Sequence, residues 1–508
     1  MDLCFEILDE IFHYVHCGNK GAARDMVALA QTCRAFEDMA LNILWHTQNN
    51  FVHLIKTLPP RCWAENPETD IFYKTFRLVT TVKGRPTMDE FTRFKSYASR
   101  IRRVSYLPYA HHKESSVPRD QVALRTLMSY HELANHSVFP NLRQLEFVDV
   151  KHAVGCLDIF LRSAKSISLS LCWSDCYDVG FNSMFRTLFR IIEEHALNME
   201  ELDLGSFQSG LTGNVDRDAK DVFSDLVCKM SELRGMKTGS RSLNGRALRH
   251  LASLPRLHTL QIPNTPEDIL DSVQRVQSSR MVFSELQQLT MHVGDMSSFI
   301  RLVDRLKPLR LRALTLFVRP IPSSTDIHSL FSALQESTQH ADFRRFLVKP
   351  SEAGQTQSSA RRRGYVTIPS SMLDPLLSFK NMTVVELNLP YSFDVGDGHV
   401  RAMAEAWPRL CRLQLGSLVG WHVRSLVTCT GILSLVRGCR ELEYLAVPFG
   451  GAGEFVPLRA SLTLRDVNRK IRYLYVGNGE MKFGDMKCVA RFLKFVFPRL
   501  CGIGGEWL

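Results

Sequence analysis

Five groups of residues in this chain combine types and spacings that could support chemistry. Gly477-Asn478-Gly479 opens like a phosphate-binding turn, but Glu480, Met481 and Lys482 follow, so the third glycine of a dinucleotide fingerprint is missing. Gly450-Gly451-Ala452-Gly453 lacks the Lys-Ser/Thr pair that would hold phosphate and magnesium. Cys172 and Cys176 have no second pair to complete a tetrahedral zinc site. His111-His112 has no cysteine or carboxylate set beside it, and reads as a surface loop. Asp394, Asp397 and His399 cluster in Asp-Val-Gly-Asp-Gly-His, but a calcium loop would continue with further ligands and a closing glutamate. The expectation is a non-enzymatic chain with no catalytic residue, no metal site and no cofactor.

The remaining chemistry is that of recognition. Tyrosine and arginine bury much area at interfaces with limited entropy loss. Among the residues that alternate with a recurring set of apolar positions they come late, at Arg412, Tyr444, Tyr473 and Tyr475, with Gln414 among them. These five are the candidate substrate-binding residues, with Trp421, Phe449 and Phe455 as loop contributors; the alternative is that the aromatics only pack against neighbouring strands. Equivalent earlier positions are mostly acidic or amide-bearing, Gln144, Glu146, Glu201, Asp203, Gln261, Glu386 and Asn388, with a hydroxyl at Thr259.

Those positions are equivalent because a short apolar template recurs, anchor-x-x-apolar-x-apolar. Clear copies are Leu142-Leu145-Phe147, Leu257-Leu260-Ile262, Leu286-Leu289-Met291, Leu311-Leu314-Leu316, Val384-Leu387-Leu389, Leu410-Leu413-Leu415, Leu442-Leu445-Val447 and Ile471-Leu474-Val476. Weaker copies start at Ile101, Ala164, Met199, Leu233 and Phe343, and a degenerate one at Leu500. Late anchors follow at 32, 29 and 29 residues, room for one strand and one helix per unit. Alternation gives a strand with one apolar face, and proline before many copies (Pro140, Pro255, Pro408) stops the preceding helix. Between copies the period turns helical, as at Phe299, Leu302, Val303 and Leu306, and at Ala490, Leu493, Lys494 and Phe497. The predicted fold is α/β, a leucine-rich-repeat-like solenoid of short parallel strands and helices over residues 99–508. The apolar-poor stretch 351–364, with Arg361-Arg362-Arg363, is expected to be a disordered loop interrupting it. The competing reading is a conventional α/β domain containing coincidental strings of this kind.

Composition sets the limits. The 508 residues are 45% hydrophobic and 23% charged, a folded and not a disordered profile. No apolar run is long enough to span a bilayer, and the N-terminus lacks the basic segment of a signal peptide. Thirteen scattered cysteines suit reduced thiols, so a cytoplasmic or nuclear location is expected, without a membrane partner. The net charge of +11 is spread along the chain without an aromatic-basic recognition motif, which disfavours nucleic acid as the main partner.

The first 48 residues carry a separate signal. Leu8, Ile11, Phe12 and Val15 mark one face of a helix ending near His16–Gly18. Met26, Leu29, Ala30 and Cys33 mark a second helix, and Phe36, Met39, Ala40, Ile43 and Leu44 a third, closing on Trp45. The string from Leu3 to Phe12, then Leu29-Ala30-Gln31-Thr32-Cys33-Arg34-Ala35-Phe36, then Leu44-Trp45, resembles an F-box, and the order F-box then repeats is similar to fungal F-box proteins. The resemblance implies a substrate adaptor of a Skp1–cullin–F-box ubiquitin ligase. Leu3, Ile7, Leu8 and Ile11 would face the linker protein Skp1, and through it cullin, with Leu44 and Trp45 close by. The repeats would hold an unidentified target. Cys4 replaces the family's proline and only two residues precede Leu3: either the start lies upstream of Met1 or the Skp1 contact is weaker. The domains are then an F-box at 1–48, a helical linker at 49–98 and the solenoid. The alternative is a repeat scaffold unrelated to ubiquitin, with the three helices as its cap.

Overall fold

The computed structural model describes residues 5–18, 21–70, 75–106, 119–130, 138–147, 156–162, 167–171, 181–195, 197, 199–205, 217–239, 242–273, 282–307, 309–338, 340–351, 367–416, 426–451, 462–476 and 486–504. The chain forms two units, Met1–Gln208 with Gly213–Gly239, and Ser209–Thr212 with Ser240–Leu508.

The first unit begins with three helices, α1 (Phe5–Gly18), α2 (Ala22–Thr32) and α3 (Arg34–His46). Phe12, Met26, Met39, Ala40 and Ile43 form their core, ringed by Leu8, Val15, Leu29, Ala30, Phe36 and Leu44. Phe12 meets Phe36 edge-on with centroids 5.2 Å apart. The break between α2 and α3 falls at Cys33, whose backbone is extended (φ −158°, ψ 161°) and whose carbonyl accepts the N–H groups of Phe36 and Glu37. A bundle this small has a marginal core, and it is fastened to the next segment. Trp45 lies against Tyr97 with centroids 4.9 Å apart, and Arg100 donates to Asp38 (2.6 Å) and Asn42 (2.5 Å).

The segment predicted as a helical linker is only partly helical. Short helical turns at Val52–Ile55 and Pro60–Cys62 and a helix at Met88–Ala98 flank an antiparallel hairpin, β2 (Trp63–Asp70) with β3 (Thr75–Val82). The strand preference has a local cause: Val79-Thr80-Thr81-Val82 is a β-branched run. Thr87 and Glu90 form a reciprocal capping box that starts the helix after the hairpin.

The rest of this unit is a parallel sheet. Strand β1 (Thr47–Gln48) pairs with β4 (Arg103–Tyr106), followed in order by β5 (Gln144–Phe147), β6 (Ile167–Leu171), β7 (Met199–Asp203) and β8 (Gly235–Lys237). Helices such as Phe181–Glu193 and Arg217–Cys228 separate the later strands.

The second unit continues the same grammar. Strands β9 (Thr259–Ile262), β10 (Gln288–Val293), β11 (Ala313–Val318), β12 (Arg345–Pro350), β14 (Val384–Leu387), β16 (Arg412–Leu415), β17 (Tyr444–Ala446), β18 (Tyr473–Tyr475) and β19 (Gly502–Gly504) pair in parallel in that order. A separate parallel pair joins β13 (Thr367–Pro369) to β15 (Ser392–Asp394). The apolar template stacks across strands: Leu260, Leu289, Leu314, Phe346, Val385, Leu413, Leu445 and Leu474 are in register and buried. At about 1.5–3 kcal/mol per buried side chain, stability comes from neighbours covering one another, as in a repeat array. Each unit is therefore an α/β, leucine-rich-repeat-like array of alternating parallel strands and helices.

Two details of the predicted pattern shift. The copy read at Val384-Leu387-Leu389 is Met382-Val385-Leu387, because Val385 pairs with Leu413 and Leu387 with Leu415. Glu386 keeps its side of the sheet, whereas Asn388 falls beyond the strand. In the helix Met486–Val496 the buried stripe is Val489, Phe492, Leu493 and Val496; Ala490 and Lys494 are exposed. The stripe at Phe299, Leu302, Val303 and Leu306 is buried as predicted. Trp407 shows why proline follows it: its indole is fully buried, its N–H donates to the Leu376 carbonyl (3.3 Å), and Pro408 turns the chain into β16. The loop expected at 351–364 lies outside the described residues except for Ser351. Among the described residues no helix is long and apolar enough to cross a membrane.

Candidate functional site

Two surfaces, one in each unit, carry the residues singled out from the sequence. On the first, the helical period of α1 divides its apolar residues between two faces. Leu8, Phe12 and Val15 turn inward. Ile7 and Ile11 remain 51% and 46% exposed, and Tyr14, one turn further, is 81% exposed. The spacing i, i+4, i+7 puts these three in one row. Val27 on α2 is 42% exposed. Leu44 packs on the inner core, and Trp45 is buried against Tyr97. Leu3 and Cys4 lie outside the described residues. Tyr14 and Val27 were not singled out from the sequence, although the helical period places Tyr14 in line with Ile7 and Ile11.

On the second surface, the polar positions of β12, β14 and β16–β18 come together. Glu386 is buried, 5% exposed, yet ionic. Lys349 reaches it at 2.9 Å and the Arg412 Nε–H donates to its other oxygen. The guanidinium of Arg412 lies over the Tyr444 ring, 3.9 Å from its centroid, and Tyr444 lies 5.6 Å from Tyr475. Burial is the main cause that pushes the Tyr444 phenol above its ordinary value, with Arg412 opposing it. Gln414 is buried and its amide donates to the Gly416 carbonyl (3.1 Å), so it serves the turn after β16. Tyr473 is 54% exposed. The last strand carries glycine beside both tyrosines for a steric reason: a Cβ on Gly504 would sit 2.4 Å from Tyr475 and one on Gly502 3.3 Å from Tyr473. Three of the five predicted residues, Arg412, Tyr444 and Tyr475, thus form one cation–aromatic cluster; Tyr473 lies on the same strand as Tyr475, and Gln414 serves the turn. Phe449 is buried and is not a loop contact; Trp421 and Phe455 lie outside the described residues. The clamp by Lys349 was missed, since nothing in local spacing joins positions on separate strands.

Earlier strands offer their carboxylates to one another's partners. Glu146 pairs with Arg103 (2.9 Å) and accepts from Ser105 (2.9 Å), Glu201 accepts from Ser168 (2.7 Å), and Asp203 pairs with Lys237 (2.7 Å).

Of the residues considered for chemistry, Asp397, Gly450 and Gly451 have structural roles. Asp397 accepts from the backbone N–H groups of Thr428 (2.7 Å) and Gly431 (3.1 Å) and from the Thr428 hydroxyl (2.6 Å), bracing the N-terminus of the helix Cys429–Gly438, whose N-cap is Thr428. Gly450 donates its N–H to the Val427 carbonyl and Gly451 adopts φ 104°, a backbone that glycine tolerates. Cys172, Cys176, His111, His112 and the 477–482 turn lie outside the described residues. Among the described residues, one trio could converge on a cation, Asp158, Glu194 and His195. Both oxygens of Asp158 already accept from Arg162 (3.0 and 2.8 Å), so it is built as an ion pair.

No protein-family model matches the chain, and no curated protein matches it.

Proposed function

We propose that this chain is a non-catalytic substrate adaptor of a Skp1–cullin–F-box ubiquitin ligase, its first three helices docking on Skp1 and its repeat array holding the target protein. The observation that carries the reading is the outer row of α1: Ile7, Ile11 and Tyr14 stay exposed although the bundle core closes behind them with Leu8, Phe12 and Val15. Apolar side chains left in a row beside a marginal core fit a partner that completes it. The F-box-like string over residues 1–48 supplies the partner's identity.

A second reading is favoured by the fastening of the bundle. Trp45 against Tyr97, and Arg100 on Asp38 and Asn42, are what a cap of a repeat array requires. A cap needs no exposed row, so the two readings part on one experiment. Co-expression with Skp1 should yield a one-to-one complex, and Ile7→Asp/Ile11→Asp should abolish it while the chain stays folded. If the wild-type chain does not co-purify with Skp1, the adaptor reading fails and the scaffold with a helical cap takes its place.

A further inference from the structure

The cluster on β12–β18 has a charge and a posture that specify what it can hold. Strands β12, β14 and β16–β19 carry three cations, Arg345, Lys349 and Arg412, against one carboxylate, Glu386. That carboxylate is already clamped by Lys349 and Arg412. Arg412 spends its Nε–H on Glu386 and rests its plane on Tyr444, which leaves the two terminal nitrogens fixed in direction. A guanidinium held this way loses little further freedom on binding and offers the fork that matches a carboxylate. Two strands along the sheet, on β18, Tyr473 presents a half-exposed ring. A nucleic-acid strand needs a line of free cations along its backbone, and here a buried carboxylate lies on the floor of the cluster.

We propose that this face seats an extended acidic segment of a protein, with carboxylates taken by Arg412 and Lys349 and an adjacent apolar side chain laid on Tyr473. Side chains two residues apart in an extended segment point to the same side, so a carboxylate and an apolar side chain two positions on reach this face together. That the segment belongs to a ubiquitination target rests on the adaptor reading; the surface chemistry does not.

The test uses the full chain without Skp1, and fluorescence anisotropy of a labelled peptide repeating glutamate-serine-leucine-serine, which puts glutamate and leucine on one side of an extended chain. Its glutamine counterpart and a uridine-rich single-stranded RNA are the comparison probes. The glutamate peptide should bind about tenfold or more tightly than the glutamine peptide, the difference a charge-assisted contact makes. Arg412→Gln and Tyr473→Ala should each weaken it several-fold, and Arg412→Lys should fall between Arg412→Gln and wild type. Lys487→Gln, an exposed cation on another element, should change nothing. Tyr473→Ala removes a half-exposed ring and so keeps the test valid even where Arg412→Gln disturbs the clamp. Equal binding of the two peptides, equal loss in Lys487→Gln, or tighter binding of the RNA would overturn the proposal. Because Skp1 is absent from the assay, such a failure leaves the Skp1 result of the preceding section untouched, and the reverse also holds.

Discussion

Removing the two exposed isoleucines of α1 should weaken Skp1 binding without weakening the fold. Ile7 and Ile11 are 51% and 46% exposed, so about half of each side chain remains for a partner to cover. Full burial of such a side chain is worth about 1.5–3 kcal/mol, which leaves about 1 kcal/mol for each isoleucine to contribute at the interface. Ile7→Ala/Ile11→Ala should therefore cost about 2 kcal/mol, or roughly 30-fold in Kd. Leu8→Ala is the contrasting variant, because Leu8 packs on the bundle core. It should lower the stability of the bundle by about 2 kcal/mol. Isothermal titration calorimetry with Skp1 reads the first effect and urea unfolding reads the second. The reasoning is refuted if the double variant binds within about threefold of wild type, or if its urea midpoint drops as far as that of Leu8→Ala.

Asp397→Ala leaves the N-cap Thr428 of the helix Cys429–Gly438 in place but removes three accepted hydrogen bonds beside it, and should cost about 2 kcal/mol in urea unfolding. Gly431→Ala should also destabilise, since its Cβ would lie 2.4 Å from the Asp397 carboxylate; the penalty should shrink in the Asp397→Ala background, the coupling expected of neighbours. The Arg437 guanidinium beside Asp466 is the main cause holding that carboxyl below its ordinary range. A depressed native pKa means the pair's contribution is complete above the unfolded value of about 3.9 and is lost as pH falls through the native one, so Asp466→Asn should flatten the acid side of a stability–pH profile. Burial pushes the Cys439 thiol up to about 12; iodoacetamide at neutral pH should label the exposed Cys33 and Cys501 long before Cys439, as mass spectrometry of digests would show.

The strands were legible because the template forces one outcome: Leu413 and Leu415 can be buried together only if Arg412 and Gln414 take the other side. That parity also explains why the misplaced frame at Val384 did little harm. A shift of two residues preserves the side of every residue, so Glu386 stayed on its face of the sheet while Asn388 and Leu389 fell beyond the strand. The helix Met486–Val496 was less forgiving. Cys488, Val489 and Ala490 are all small or apolar, and a rotation by one residue exchanges Val489 for Ala490 on the buried stripe. On α1 the pattern of Leu8, Ile11, Phe12 and Val15 was read as one face, and the structure divides it. Three helices of this length enclose a narrow core, and Ile11 stands at its edge with Ile7 and Tyr14.

What sequence spacing could not reveal is pairing across strands. Lys349, Glu386, Arg412 and Tyr444 become neighbours only once the sheet sets their register. The same blindness hid the opposite outcome earlier in the chain, where Glu146, Glu201 and Asp203 satisfy themselves with Arg103, Ser168 and Lys237. Alternation alone treats all these positions as equivalent surface. Their partners make them unequal: the early carboxylates are spent on their own sheet, while β16–β18 keep two guanidinium nitrogens and a half-exposed tyrosine in hand. Substitutions at Arg412 or Tyr473 should consequently alter binding more than stability, and substitutions at Arg103 or Lys237 the reverse.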